Sequence, residues 1–212
     1  LWVKGLAVGM ELNVEVFEPD VSPLAVQGPK ADELMERVFG SEVRDIRFFR
    51  KKRLEFANTS FIVARSGYSK QGGFEIYVEG SEHGVYIWDV LFEAGADLNV
   101  RAGCPNLIER VEGGLLSYGG DMNMSNSPLE CGLGKFCNLT GDIDYIGKAA
   151  LLREAEQGPT KQIRPISIMG EPIRTLQSPW SIIKGNRKVG QITAAVWSPD
   201  FNTNVAIRIC FV

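Results

Sequence analysis

One histidine and four cysteines, with no Cys-x-x-Cys pair, leave this 212-residue chain few tools for metal or nucleophile chemistry. Cys104, Cys131, Cys137 and Cys210 stand alone, so neither a structural zinc site nor a disulfide scaffold is expected. Scattered single thiols fit a reducing, cytoplasmic setting. His83 falls at the start of an amphipathic stretch, a surface or capping position, and without a second histidine no nucleophilic triad can be assembled. No run of about 18 apolar residues is present, and nothing resembles a signal peptide, so neither membrane spanning nor export is expected. The formal charge of −3 provides no field for nucleic acid or an anionic membrane. The one basic run, Arg50 to Arg53, is followed at once by Leu54 and Glu55 and reads as a solvated hairpin tip. Gly132-Leu-Gly-Lys135 lacks the spacing of a phosphate loop, and no dinucleotide fingerprint follows a strand. Catalytic acid–base and metal residues are therefore both expected to be none. What remains is a site that binds and positions reactants.

What the chain does have is glycine-punctuated alternation. The segment Arg65 to Tyr77 reads as strand, glycine-rich turn, strand. Phe74, Ile76 and Val78 share one face of the second strand, while Glu75 and Tyr77 share the other. A carboxylate beside a phenol on one strand face suits a flat, nitrogen-rich heterocycle, because the acid can accept two parallel N–H bonds while the ring packs on the plane. From the chemistry alone, the same pattern is more simply a hairpin whose outer face carries an ordinary solvated Glu and Tyr.

Around this hairpin the spacing predicts a helix over Leu1–Gly9 and strands at Asn13–Phe17 and Ser22–Gln27. A helix opening with Pro29 follows, with the stripe Leu34, Met35, Val38 and Phe39 ended by Gly40. Strands are expected at Ile46–Phe56 and Thr59–Arg65. A helix capped by Ser81 should face Val85, Trp88, Leu91 and Phe92 inward, and another should begin at Pro105 with Leu107, Ile108 and Val111 inward. Asn126–Gly134 reads as irregular loop, and a short helix within Asp144–Gln157 ends at Gly158-Pro159. Beyond it come short strand signals at Ile163–Ile168, Trp180–Ile183, Val189–Ala195 and Val205–Phe211, the spacing of a small antiparallel barrel. A helix-like start without an N-cap and an end inside an apolar run predict a piece of a longer protein.

Several blocks occur together in one order: Ser22 to Lys30, Gly67-Tyr68 with Gly73-Phe-Glu-Ile76, Glu109 to Asp121, Ser127 to Gly134, Asp144 to Lys148, and Gly190 to Ala194 with Ser198-Pro199. They resemble the glycine cleavage T-protein family of folate-dependent aminomethyltransferases. The resemblance implies an α+β multidomain fold of antiparallel sheets with flanking helices, ending in a small β-barrel. It places a T-protein-like folate-binding region at 1–157, lacking its N-terminal part, and a partial barrel domain at 158–212. It also implies tetrahydrofolate as cofactor, with Glu75 and Tyr77 as its main contacts and Tyr68 and Gln71 in the pocket wall. Asn106, Arg110, Tyr118 and Trp197 become candidates for the substrate side, with Arg110 pairing with Glu109 or Glu112 or reaching a carboxylate.

The departures narrow this further. Where the T-protein has Gly-Tyr-Thr-Gly-Glu-Asp-Gly, this chain has Gly67-Tyr-Ser-Lys-Gln-Gly-Gly73, and Pro105-Asn-Leu107 replaces Ala-Arg-Asp. The wording of Phe17 to Ala25, Ala64 to Tyr77, Cys104 to Arg110 and Gln191 to Phe201 is similar to the dimethylsulfoniopropionate demethylase branch. That likeness implies a small-molecule partner, dimethylsulfoniopropionate, whose methyl group moves to tetrahydrofolate to give 3-methylmercaptopropionate and 5-methyltetrahydrofolate. The alternatives are a glycine-cleavage aminomethyltransferase and a non-catalytic folate-binding module. The last carries a reactive-cysteine motif that Gly132 to Cys137 matches only loosely.

Overall fold

The computed structural model describes residues 1–211 and divides by its internal contacts into two compact units, 1–67 with 71–103, and 68–70 with 104–212. The expected second domain's last residue, Val212, lies outside the described residues. Each unit is built on one four-stranded antiparallel sheet flanked by helices, an α+β arrangement.

In the first unit the chain forms α1 (Trp2–Gly9), β1 (Val21–Gln27), α2 (Ala31–Phe39), β2 (Lys51–Phe56), β3 (Thr59–Ala64), β4 (Gly73–Glu79) and α3 (Gly84–Ala94). The sheet order is β1-β4-β3-β2. Alternation decides which side is covered. Leu54, Phe61, Val63, Phe74, Ile76 and Val78 point to one face and form a continuous core with Leu34, Met35 and Phe39 of α2 and Ile87 and Leu91 of α3. Gly40 ends α2 with φ 82°.

Several expectations change here. No strand forms at Asn13–Phe17; β1 is the nearer edge strand, and Pro23 in it cannot donate to a further ladder. Pro29 lies ahead of α2, whose N-cap is Lys30. The stretch before β2 is a 3₁₀ turn at Ser41–Asp45 and a bend, so the basic run lies along edge strand β2 rather than at a hairpin tip; the tip is Ala57-Asn58, both with positive φ. Charged side chains on an edge strand discourage pairing with other chains. Finally, Ser81 does not cap α3: its hydroxyl and amide turn to Asp20, and the helix begins after a 3₁₀ turn. That helix presents Ile87 and Leu91 to the core, leaving Val85 73% and Trp88 40% exposed, with Trp88 packed on Phe92.

The second unit contains α4 (Leu107–Glu112), α5 (Lys148–Gln157), β5 (Lys161–Ile168), β6 (Trp180–Lys184), β7 (Arg187–Ser198) and β8 (Thr203–Phe211). Its sheet order is β5-β8-β7-β6, with β5 and β6 as open edges, so the described residues form a sheet and not a closed barrel. The helix expected to begin at Pro105 begins at Leu107, with Asn106 as its N-cap. Residues 126–134 are irregular and Gly158 ends α5, as the sequence predicts. Among the described residues no helix is long and apolar enough to cross a membrane.

The burial of α3 yields a direct test. Ile87→Ala should lower the unfolding free energy by about 2–5 kcal/mol, whereas Val85→Ala should change it by no more than about 0.5 kcal/mol. Urea unfolding of the two variants checks the assignment.

Candidate functional site

The register of β4 builds the first part of the site. Glu75 sits between Ala64 of β3 and Ala25 of β1, and Tyr77 between Ile62 and Pro23, so both project from the face opposite the core. Both side chains are half-buried. The hydroxyl of Ser66, just after β3, donates to Oε2 of Glu75 and holds the carboxylate in one orientation. A carboxylate in this position has acceptor capacity beyond the Ser66 bond.

Backbone constraints keep it there. Gly73 has φ 142°, and a Cβ on it would lie 2.2 Å from the carbonyl oxygen of Val26, so only glycine permits this approach of β4 to β1. Gln27 Nε2 donates to the carbonyls of Ser66 at 3.0 Å and Phe74 at 3.1 Å, tying the end of β1 to both arms of the hairpin. Gln71 belongs to this unit, its side-chain oxygen packed near Gly28, whose amide donates to the Gly72 carbonyl.

The remaining candidates fall in the second unit. The Tyr68 hydroxyl meets the carbonyls of Leu115 at 3.0 Å and Leu116 at 2.9 Å, and the Arg110 guanidinium donates to the same Leu115 oxygen at 2.9 Å. The structure thus brings Tyr68 and Arg110 together. Arg110 pairs with Asp121 at 2.5 Å rather than with Glu109 or Glu112; the two side chains are 11% and 1% exposed. Asp121 also accepts from the Ser117 amide at 2.8 Å and the Thr193 hydroxyl at 2.6 Å. Thr193 is the extra residue of a bulge in β7, which turns its side chain towards Asp121. Asn106 uses Oδ1 to accept from the Ile108 amide at 2.8 Å, the N-cap bond of α4. Tyr118 is exposed and Trp197 half-buried on β7.

Lys70, one of the sequence departures, takes a left-handed backbone at φ 64°. Its ammonium reaches Glu112 at 2.8 Å and Asp200 at 3.1 Å and lies over the Phe201 ring. The Glu112 side chain is 3% exposed and also accepts the Ser198 hydroxyl. The hydrogen bond to Glu112, and then that to Asp200, raise the lysine pKa above its ordinary value.

Ser66, Gln27, Asp121 and Thr193 are structural neighbours of the candidate residues that sequence reasoning missed. Only Asp121, an acid directly after Gly119-Gly120, carried a local signal of a turn-borne partner.

The model of the GCVT N-terminal domain matches residues 2–141. The chain belongs to this family. Among relatives of the GCVT N-terminal domain family, the dimethylsulfoniopropionate demethylase DmdA of Ruegeria pomeroyi is 63% identical over 203 residues, 96% of this chain and 55% of that protein. An aminomethyltransferase of Caldanaerobacter subterraneus is 31% identical over 98% of this chain and 55% of its own length. The chain therefore spans about half the length of the curated relatives it matches. In fold it is similar to the glycine cleavage system aminomethyltransferase T of Bartonella henselae, with a TM-score of 0.75 at 20% identity over 98% of this chain and 58% of that one.

Removing one member of the buried pair should be costly: Arg110→Met leaves the Asp121 carboxylate without its cation and should destabilise the second unit by about 3–5 kcal/mol. Adding Asp121→Asn should restore part of that loss in chemical denaturation.

Proposed function

We propose that the protein moves a methyl group from dimethylsulfoniopropionate to tetrahydrofolate, giving 3-methylmercaptopropionate and 5-methyltetrahydrofolate. The observation that carries this reading is the gap in identity. This chain is about twice as similar to the demethylase relative as to the aminomethyltransferase over the same span. The departures at Lys70-Gln71 and Asn106 point the same way.

The residues present fit a reduced pterin. Glu75 offers an outward carboxylate for an amino-pyrimidinone edge, steadied by Ser66, and Tyr77 stands two residues along the same face with an apolar ring and a polar tip. Reduced folate supplies a nitrogen nucleophile for a methyl group carried on positively charged sulfur. That chemistry produces a neutral leaving group and needs no acid from the protein. The chain's task is orientation: Glu75 fixes one edge, Tyr77 packs beside it, and Gln71 of the same unit adds to the wall. Holding reactants in line and excluding water is itself a large rate factor. On the donor side Asn106 and Arg110 act indirectly, by capping α4 and anchoring Asp121, while Tyr118 and Trp197 are the rings left to contact substrate. The catalytic inventory is one of positioning residues.

The same reading assigns residues 1–157 to the folate-binding region and 158–212 to part of a barrel, with β5–β8 as its described sheet. It places the protein in the cytoplasm.

The full-length protein, incubated with tetrahydrofolate and dimethylsulfoniopropionate, should yield 5-methyltetrahydrofolate, and an aminomethyl donor in its place should yield no methylenetetrahydrofolate and no ammonia. Turnover of the aminomethyl donor alone would transfer the assignment to the aminomethyltransferases. Glu75→Gln should weaken tetrahydrofolate binding by about 1–3 kcal/mol in calorimetry.

A further inference from the structure

The open face of the first unit's sheet carries more than Glu75 and Tyr77. The register aligns two rows across three strands. One row runs Lys51, Ala64, Glu75, and the other runs Arg53, Ile62, Tyr77. Directly paired residues project to the same side, and the core takes the alternate positions Leu54, Phe61, Val63 and Ile76. The ion pair from Arg53 to Glu79 at 3.4 Å joins edge strand to β4 across this face. Each row therefore reads cation, apolar residue, candidate pterin contact.

We propose that Lys51 and Arg53 bind the carboxylates of the folate's glutamate tail, a reading that rests on the assignment of Glu75 to the pterin. Two strand spacings, about 10 Å, separate the cation positions from Glu75 and Tyr77. Between them lie Ala64 and Ile62, half-buried and uncharged, a strip on which an aromatic linker can lie flat. Lys51 and Arg53 are exposed and able to meet a carboxylate. Two residues further along the same face of their strands stand Glu55 on β2 and Glu79 on β4, acids that repel such a tail and confine it to the first two rows. The face thus offers an acceptor for the N–H-rich end of an elongated ligand, an apolar middle and cations for its anionic end.

The test uses the full-length protein and two ligands by calorimetry: tetrahydrofolate, and 6-methyltetrahydropterin, which lacks the linker and glutamate. Lys51→Gln with Arg53→Gln should weaken tetrahydrofolate about fivefold, the scale of two exposed ion pairs. The pterin's affinity should stay unchanged. The difference should shrink as salt is raised, and Lys51→Arg with Arg53→Lys should retain wild-type affinity. Unchanged tetrahydrofolate binding in the glutamine variant, or an equal loss for both ligands, overturns the tail subsite. If the wild-type protein binds tetrahydrofolate and 6-methyltetrahydropterin equally tightly, the subsite is overturned while the pterin reading stands. If it binds neither, the pterin reading fails and takes the subsite with it.

Discussion

The pleat of β4 is the constraint on which the first unit depends. Phe74, Ile76 and Val78 are buried almost completely, so this strand cannot slip by one residue without driving Glu75 and Tyr77 into the core. Burial on one face therefore dictates chemistry on the other. The register is further pinned at the end nearest the loop, where Gly73 admits the β1 backbone and Gln27 bonds to both arms of the hairpin. A carboxylate on a strand so fixed has little freedom left to lose, and the Ser66 hydroxyl removes more. That is the arrangement expected where a ligand must be held in one orientation.

The second unit reaches order by a different route. Beside its apolar cluster of Val111, Ile163, Ala194, Val196 and Ile207 it also buries a polar centre. Asp121 is almost wholly buried, and each of its oxygens has a donor: Arg110 and the Ser117 amide on one side, Thr193 on the other. A buried charge is tolerable only when its bonds are made this fully. The bulge in β7 makes the third bond possible, because a regular ladder would send Thr193 elsewhere. Lys70 and Glu112 repeat the pattern nearer the surface, with Ser198 as the added donor.

These contrasts explain what the sequence shows and conceals. The strands β3 and β4 and the helix α2 are legible because period-2 or period-3.6 apolar spacing matches their burial, and α5 is legible because Gly158-Pro159 stops it. The face of α3 is not legible. Val85, Trp88 and Phe92 form as good an apolar stripe as Ile87, Val90 and Leu91, and only the surface of the sheet selects between them. The basic run Arg50 to Arg53 looks like a turn because charge density mimics one, yet an edge strand tolerates charge on its open face and at its margin. The pairing of Arg110 with Asp121 joins a helix to a loop 11 residues on, outside any helical spacing, and its nearer acids Glu109 and Glu112 are decoys. Asn106 reads as a ligand contact by family position, while its local role is a helix cap.

An open antiparallel face has one further property that bears on the proposed ligand. It offers fixed spacings in two directions, about 5 Å between strands and about 7 Å between like-facing residues along a strand. A compact substrate would use one row, and an elongated one can be read across several. In this unit the side chains change character from β4 to β2 in both of the first two rows, from acceptor and phenol through Ala64 and Ile62 to cations, and the order is the same in each. A surface selected only for solubility has no reason to repeat that order, since interspersed charges of both signs serve solubility equally well. The repetition is accounted for if one long molecule, carrying N–H donors at one end and carboxylates at the other, lies across the strands.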